Sequence, residues 1–129
     1  MSTLADPIDP AFVLDFQRST VAREIPSEFL DRVVAESLKV PARVWREAFG
    51  ALIADDVRPA LRRIAVPTLL LWGEADAMAS ASQQAQLVRG IPGAELRVYA
   101  GGGHAPHWED PRRVAADLAA FSAALRQPT

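Results

Sequence analysis

The apolar run Leu69–Trp72, set between Pro67 and Gly73, constrains the fold of this chain more than any other segment. Uninterrupted apolar residues between turn-forming residues are typical of a strand covered on both faces, as in the interior of a parallel sheet. Such a strand needs a neighbour on each side, and the only good candidate is the alternating run Leu96–Tyr99. A two-stranded sheet is marginal in water. The run therefore predicts an α/β fold whose sheet needs further strands to complete it.

Length, charge and cysteine content narrow the possible classes of protein. The 129 residues are enough for one domain of the usual ~100–150 residues. A net charge of -2 provides no field that attracts nucleic acid or an acidic membrane surface, so neither partner is expected. The absence of cysteine excludes disulfides and thiolate metal sites. The N-terminus lacks a signal-peptide pattern, and the longest apolar run, 64–72, is shorter than the ~20 residues of a membrane span. We therefore expect a cytoplasmic protein.

The composition changes near residue 58, which divides the chain into two parts. Residues 1–58 carry only helical patterns. Apolar residues recur there at helical spacing over 11–18, 27–39 and 41–54. Pro41 suits the first turn of the third helix, where its missing N–H needs no partner. Residues 59–129 hold both strand patterns and every glycine except Gly50. We expect an all-helical segment, 1–58, followed by an α/β segment, 59–129.

Helix-start and helix-stop signals separate the two strands of the second part. Ser80 with Gln83 three residues later forms a capping-box pattern, so a helix is expected from Ser80 to Arg89. Gly90 follows where a left-handed C-terminal cap is common. Asp110 and Pro111 open a last helix. Strand, helix, strand and helix form a βαβα unit, which predicts two parallel strands joined by a right-handed crossover.

Two chemically capable residues follow the two predicted strands. Asp76 lies in the loop after the first strand, and His104 follows three glycines after the second. Because adjacent parallel strands end at the same sheet edge about 4.8 Å apart, both side chains are expected within hydrogen-bonding reach. A carboxylate paired with an imidazole fixes its tautomer and stabilises the imidazolium during proton transfer. The alternative is structural, with Asp76 capping a turn and His104 an ordinary loop histidine.

The second part resembles the C-terminal portion of the α/β-hydrolase fold superfamily. The resemblance rests on Ile64-Ala65-Val66-Pro67-Thr68-Leu69-Leu70-Leu71-Trp72-Gly73-Glu74-Ala75-Asp76, on Ile91-Pro92-Gly93-Ala94 and on Gly101-Gly102-Gly103-His104-Ala105-Pro106-His107-Trp108-Glu109-Asp110-Pro111. These segments are similar to the last two strands with their acid and histidine loops. Residues 10–56 are similar to the helical cap, or lid, that precedes them in this superfamily. The resemblance implies that Asp76 is the triad acid and His104 the general base.

The same resemblance suggests where a substrate would bind. The cap contains Trp45 and Phe49, which either line an apolar substrate pocket or pack the cap helices together. His107 is interpreted as a residue of the pocket rim. A small apolar substrate with an ester, amide or related bond is the expected partner, and no cofactor is expected.

The superfamily carries its nucleophile on a Gly-x-Ser-x-Gly elbow upstream of the cap. No such motif occurs in these 129 residues, and no serine follows a strand pattern. We therefore expect a C-terminal portion, truncated or one half of a split pair, that does not hydrolyse substrate alone; whether it acts as an enzyme stays open. The alternative is a non-catalytic binding or self-associating module, for example a homodimer formed through the bare sheet edge.

A metal site is a further alternative. His104 and His107, with Asp76 or Glu109, are residue types that zinc accepts. However, Pro106 separates the histidines and their spacing is not on an evident helix. We therefore expect no metal, and we expect Glu109 and Asp110 to supply negative charge at the start of the last helix.

Overall fold

A computed structural model of the chain describes residues 3–126, which form two compact units. The first unit holds the described residues through Ser19 together with Ile25–Val57. The second unit holds Thr20–Glu24 and the described residues from Arg58 onward. The boundary between Val57 and Arg58 falls one residue before the boundary expected from composition. The segment Thr20–Glu24, from the helical part of the sequence, belongs to the α/β unit.

The first unit is all helical. Its helices are α1 (Pro10–Ser19), α2 (Ser27–Ser37) and α3 (Ala42–Ala54). The three predicted helices are thus confirmed with small shifts at their ends. Pro41 lies just outside α3 with extended backbone, rather than in its first turn. The side chain of Asp6 accepts a hydrogen bond from the Ala42 N–H at 2.8 Å, which satisfies one donor at this helix start.

An aromatic cluster fills the core of the first unit. Trp45 packs edge-on against Phe12 and Phe16, and it stacks on Phe49 with ring centroids 6.1 Å apart. Val13 and Ala42 are fully buried beside these rings. The apolar stripes of α1 and α3 therefore bury each other, as the helical spacing of these residues requires.

The second unit contains a parallel sheet of two strands among the described residues. The strands are β1 (Leu69–Gly73) and β2 (Glu95–Tyr99), paired in register from Leu69 opposite Glu95 to Gly73 opposite Tyr99. The two predicted parallel strands are confirmed. Leu69–Trp72 are only partly buried, however, although their composition is that of a strand covered on both faces. Only one edge of β1 is paired within residues 3–126.

A short 3₁₀ helix, Arg58–Arg63, precedes β1, and α4 (Ala81–Gly90) connects the two strands. The predicted capping box is confirmed, since Ser80 Oγ accepts from the Gln83 N–H and the Gln83 side chain accepts from the Ser80 N–H. The predicted left-handed cap at Gly90 is wrong, because Gly90 is the last residue inside α4 rather than the residue that follows the helix. A Cβ at Gly90 would lie 2.6 Å from Leu61 Cδ1, so glycine allows the helix to approach Leu61 closely.

The chain continues through the short helix α5 (Pro106–Glu109) into α6 (Pro111–Ala124). Asp110 caps α6 as expected, with its carboxylate accepting from the Arg113 N–H at 3.1 Å. Helix α6 is attached to β2 by Tyr99, whose hydroxyl donates to Asp117 Oδ2 at 2.7 Å. The Arg113 guanidinium lies over the same ring, 4.4 Å from its centroid. None of the helices formed by the described residues is long and apolar enough to cross a membrane.

Candidate functional site

The loops that follow β1 and β2 are joined backbone to backbone. The Glu74 N–H donates to the Tyr99 carbonyl at 3.0 Å, and the Ala75 N–H donates to the Gly102 carbonyl at 2.8 Å. A Cβ at Gly73 would lie 2.0 Å from the Gly103 carbonyl oxygen, so only glycine permits this approach. The two loops therefore form one hydrogen-bonded support at the carboxyl edge of the sheet, where α/β proteins place functional groups.

Asp76 is held in this support by its own loop. Its Oδ1 atom accepts hydrogen bonds from the N–H groups of Met78 at 2.7 Å and Ala79 at 3.0 Å. This local pattern is common for aspartate in turns. The side chain is only 4% exposed, so these two donors fix its direction and leave Oδ2 for another partner.

His104 provides that partner. Its Nδ1 atom lies 2.9 Å from Asp76 Oδ2, although the two residues are 28 positions apart in the sequence. The predicted proximity of Asp76 and His104 at one sheet edge is thus present in the structure. The imidazole itself is 46% exposed. Among residues 3–126, the Nε2 atom forms no hydrogen bond, which leaves this nitrogen accessible to solvent or to a reacting group.

The surroundings of Asp76 favour its charged form. Burial by itself raises the pKa of the carboxyl group, but the hydrogen bonds from His104, Met78 and Ala79 outweigh it and lower the pKa below its usual value of 3.8. At neutral pH the carboxylate is therefore ionised. An ionised carboxylate at Nδ1 selects the tautomer with a proton on Nδ1 and a lone pair on Nε2, which is the form that a general base needs.

The other residues expected at the site form contacts with their own neighbours. His107 is exposed on α5, with its ring 5.3 Å from the Trp108 ring. Trp45 and Phe49 belong to the helical unit, where both rings pack in its aromatic cluster. The indole Nε1 of Trp45 is buried without a hydrogen-bond partner in the described part of the chain.

Glu109 has a role in the site region that its sequence position did not predict. It was expected at the start of the last helix, but its carboxylate instead accepts hydrogen bonds from the N–H groups of Gly103, Ala22 and Arg23. Glu109, one of the metal ligands considered above, is therefore already bound to backbone N–H groups. Within residues 3–126, no group of three or more histidine, aspartate or glutamate side chains is arranged to hold a metal ion.

The sequence of the chain is similar to those of known proteins. A sequence model described as "Alpha/beta hydrolase family" matches residues 2–117. The AB hydrolase superfamily protein YisY of Bacillus subtilis is 38% identical over 72 residues, which are 56% of this chain and 27% of that protein. The pimeloyl-[acyl-carrier protein] methyl ester esterase of Stenotrophomonas maltophilia is 33% identical over 112 residues, covering 87% of this chain and 43% of the esterase.

Solved structures show the same fold. An esterase from Exiguobacterium antarcticum superposes with a TM-score of 0.81 at 21% identity, covering 87% of this chain and 42% of that one. A bromoperoxidase from Bacillus anthracis gives a TM-score of 0.82 at 18% identity, covering 88% of this chain and 44% of the other. The chain thus spans less than half the length of these relatives. The match over residues 2–117, together with the fold, shows that this chain belongs to the alpha/beta hydrolase family.

Proposed function

We propose that this chain supplies the acid and the general base of a hydrolase that cleaves an ester, amide or related bond. The observation that carries the proposal is the 2.9 Å contact between His104 Nδ1 and a buried Asp76 carboxylate, with the second ring nitrogen accessible. In this proposal Nε2 takes the proton from an attacking hydroxyl and returns it to the leaving group. Asp76 orients the ring and stabilises the imidazolium that forms between these steps.

The nucleophile is assigned to polypeptide outside these residues, because no Gly-x-Ser-x-Gly elbow occurs among the 129. An acid and a base without a nucleophile or an oxyanion site lack the features that usually dominate acyl-transfer catalysis. The 129-residue chain is therefore expected to show no turnover of a chromogenic short-chain ester. Ester hydrolysis by the purified chain that disappears in His104→Ala would contradict this assignment.

A chimera tests the proposed roles directly. The region of the Stenotrophomonas maltophilia esterase that matches this chain over 112 residues is replaced by this chain, and ester hydrolysis is measured. His104→Ala is expected to lower kcat/KM roughly 10³-fold or more, because the nucleophile loses its base. Glu95→Gln is the control, since in the described part of the chain its carboxylate pairs with the exposed Arg97 of the same strand. An active chimera that tolerates His104→Ala would overturn the role of His104.

We also propose that the substrate is small and apolar, with Trp45, Phe49 and His107 among the residues that contact it. The aromatic character of the helical unit supports this proposal. In the chimera, Trp45→Phe keeps an aromatic ring but makes it smaller. It is expected to raise KM for a small apolar ester with little change in kcat.

A second candidate function is self-association without catalysis. Apolar side chains of the second unit remain exposed, among them Val98 on β2 and Leu118 on α6. An apolar surface of this kind is typical of a site that another protein surface covers. The partner in this candidate is a second copy of the chain, and the measurement that decides it is the oligomeric state in solution.

A further inference from the structure

The carboxylate of Glu109 gathers backbone donors from two distant segments. It accepts from the Gly103 N–H at 2.8 Å, immediately before His104. It also accepts from the N–H groups of Ala22 at 2.5 Å and Arg23 at 3.2 Å, which lie 87 and 86 positions away in the sequence. A single side chain thus joins the histidine loop to a segment near the N-terminus.

That segment, Thr20–Glu24, forms further contacts with the histidine loop and is called the strap below. The Thr20 carbonyl accepts from the Ala105 N–H at 3.0 Å, and the Arg23 guanidinium donates to the Ala100 carbonyl. His104 is therefore flanked by two tethered residues. Gly103 is tethered through Glu109, and Ala105 is tethered directly to the strap.

The backbone around Gly103 is shaped for this junction. A Cβ at Gly103 would lie 2.5 Å from the Ala22 nitrogen and 2.7 Å from Glu109 Oε1. Glycine at this position therefore leaves the space that the strap and the carboxylate occupy. The three N–H groups point at one anion, which makes each hydrogen bond charge-assisted and stronger than a neutral one.

We propose that Glu109 is a positioning residue that holds His104 against Asp76 by clamping the histidine loop to the strap. The inference rests on the proposed function of the Asp76–His104 pair. The imidazole is 46% exposed and so receives little support from packing around its ring. Its placement depends on the backbone that carries it, and functional side chains need placement to within roughly 0.5 Å. Glu109 acts on the ring only through that backbone.

The test measures the pair in the 129-residue chain by NMR, without any enzymatic assay. The Nδ1–H proton of an imidazole bonded to a buried carboxylate resonates far downfield and reports the contact itself. Amide hydrogen exchange of Gly103 and Ala22 reports the clamp. The variants are Glu109→Ala and Glu109→Gln, which keeps the size and one acceptor oxygen. The matched control is Glu74→Gln, whose carboxylate accepts from the Gly101 N–H at 3.2 Å in the same loop.

The clamp predicts a graded result. In Glu109→Ala, exchange of the Gly103 and Ala22 amides accelerates about tenfold or more, and the His104 Nδ1–H resonance is broadened or lost. Glu109→Gln restores part of both signals, whereas Glu74→Gln leaves the resonance unchanged. If Glu109→Ala does not fold, Glu109→Gln decides, because a partial loss of the resonance at unchanged circular dichroism supports the clamp.

Two contrary results are distinguishable. A downfield resonance that persists unchanged in folded Glu109→Ala and Glu109→Gln overturns the positioning role and leaves the proposed function intact. The absence of this resonance in the unmodified chain, with Gly103 and Ala22 amides still protected, contradicts the Asp76–His104 pair and with it the proposed function. An equal loss in Glu74→Gln also overturns the specific role of Glu109.

Discussion

The Asp76 carboxylate accepts hydrogen bonds from the Met78 and Ala79 N–H groups while its second oxygen lies against His104 Nδ1. These donors lower its pKa in the folded chain below the usual value of 3.8, despite burial. A lowered folded-state pKa means that ionised Asp76 contributes stability above the unfolded-state value. That contribution is lost as the pH falls through the folded-state pKa.

Replacement of Asp76 by asparagine tests this charge. At pH 7, Asp76→Asn is expected to lower the free energy of unfolding by about 1–3 kcal/mol, because an amide is a weaker acceptor than a carboxylate. The difference from the unmodified chain should shrink as the pH falls below about 4. Urea unfolding across this pH range measures both values. A difference that stays constant down to the lowest pH would mean that the charge of Asp76 does not contribute.

The pKa of Tyr99 also differs from its usual value, and it affects stability at alkaline pH. Burial, followed by its hydrogen bond to Asp117, raises the pKa of Tyr99 from 10.0 to about 12. The stability contributed by the neutral phenol is therefore complete below pH 10 and is lost as the pH rises towards 12. Tyr99→Phe should have a lower free energy of unfolding at pH 8 than the unmodified chain. It should also lose less of that free energy as the pH rises from 10 towards 12. Because the chain has a single tyrosine, its absorbance titration reports this group alone, and a midpoint near 10 would contradict the burial argument.

At the scale of elements, the sequence predicts those features whose causes are local. The strands β1 and β2 follow from strand-like runs between turn residues. The capping box of Ser80 and Gln83 depends only on residues within four consecutive positions. The pairing of Asp76 with His104 follows from topology, since both residues come directly after neighbouring parallel strands.

Features that depend on distant contacts were not predictable in this way. A glycine near a helix end gives the same sequence pattern whether it forms a left-handed cap or makes room for a neighbouring side chain. At Gly90 it makes room for Leu61. Helix α5 has only four residues and thus no periodic pattern. Glu109 binds backbone donors up to 87 positions away, and backbone N–H groups have no residue signature.

The close approach of the loops that follow β1 and β2 depends on Gly73. Gly73→Ala would place a methyl group 2.0 Å from the Gly103 carbonyl oxygen, and backbone cannot move aside without disturbing the histidine loop. A loss of about 1–3 kcal/mol or more in unfolding free energy is expected. The control is Gly50→Ala in α3, where a Cβ meets nothing within 4 Å, so a gain of about 0.5–1 kcal/mol is expected. Equal effects in urea unfolding would show that the Gly73 contact is not restrictive.

At the scale of the whole molecule, composition and burial disagree in the second unit. Leu69–Trp72 have the composition of an interior strand but remain partly exposed, with one strand partner among the described residues. The apolar stripe of α6 shows the same disagreement, because Val114 is buried whereas Leu118 is 48% exposed. The chain also spans 27% and 43% of two relatives with which it was compared. Apolar surface on this unit is therefore available to another polypeptide.

This surface predicts concentration-dependent self-association of the purified chain, because burying apolar area against a second copy removes it from water. Sedimentation velocity over a wide concentration range measures the effect. Leu118→Lys is expected to weaken dimer formation by about tenfold or more, since a charge at an apolar contact must be desolvated. Leu52→Lys is the matched control, because Leu52 is 74% exposed but belongs to the helical unit. A chain that stays monomeric at every concentration would contradict self-association, and a larger effect of Leu52→Lys would show that the second unit does not form the contact.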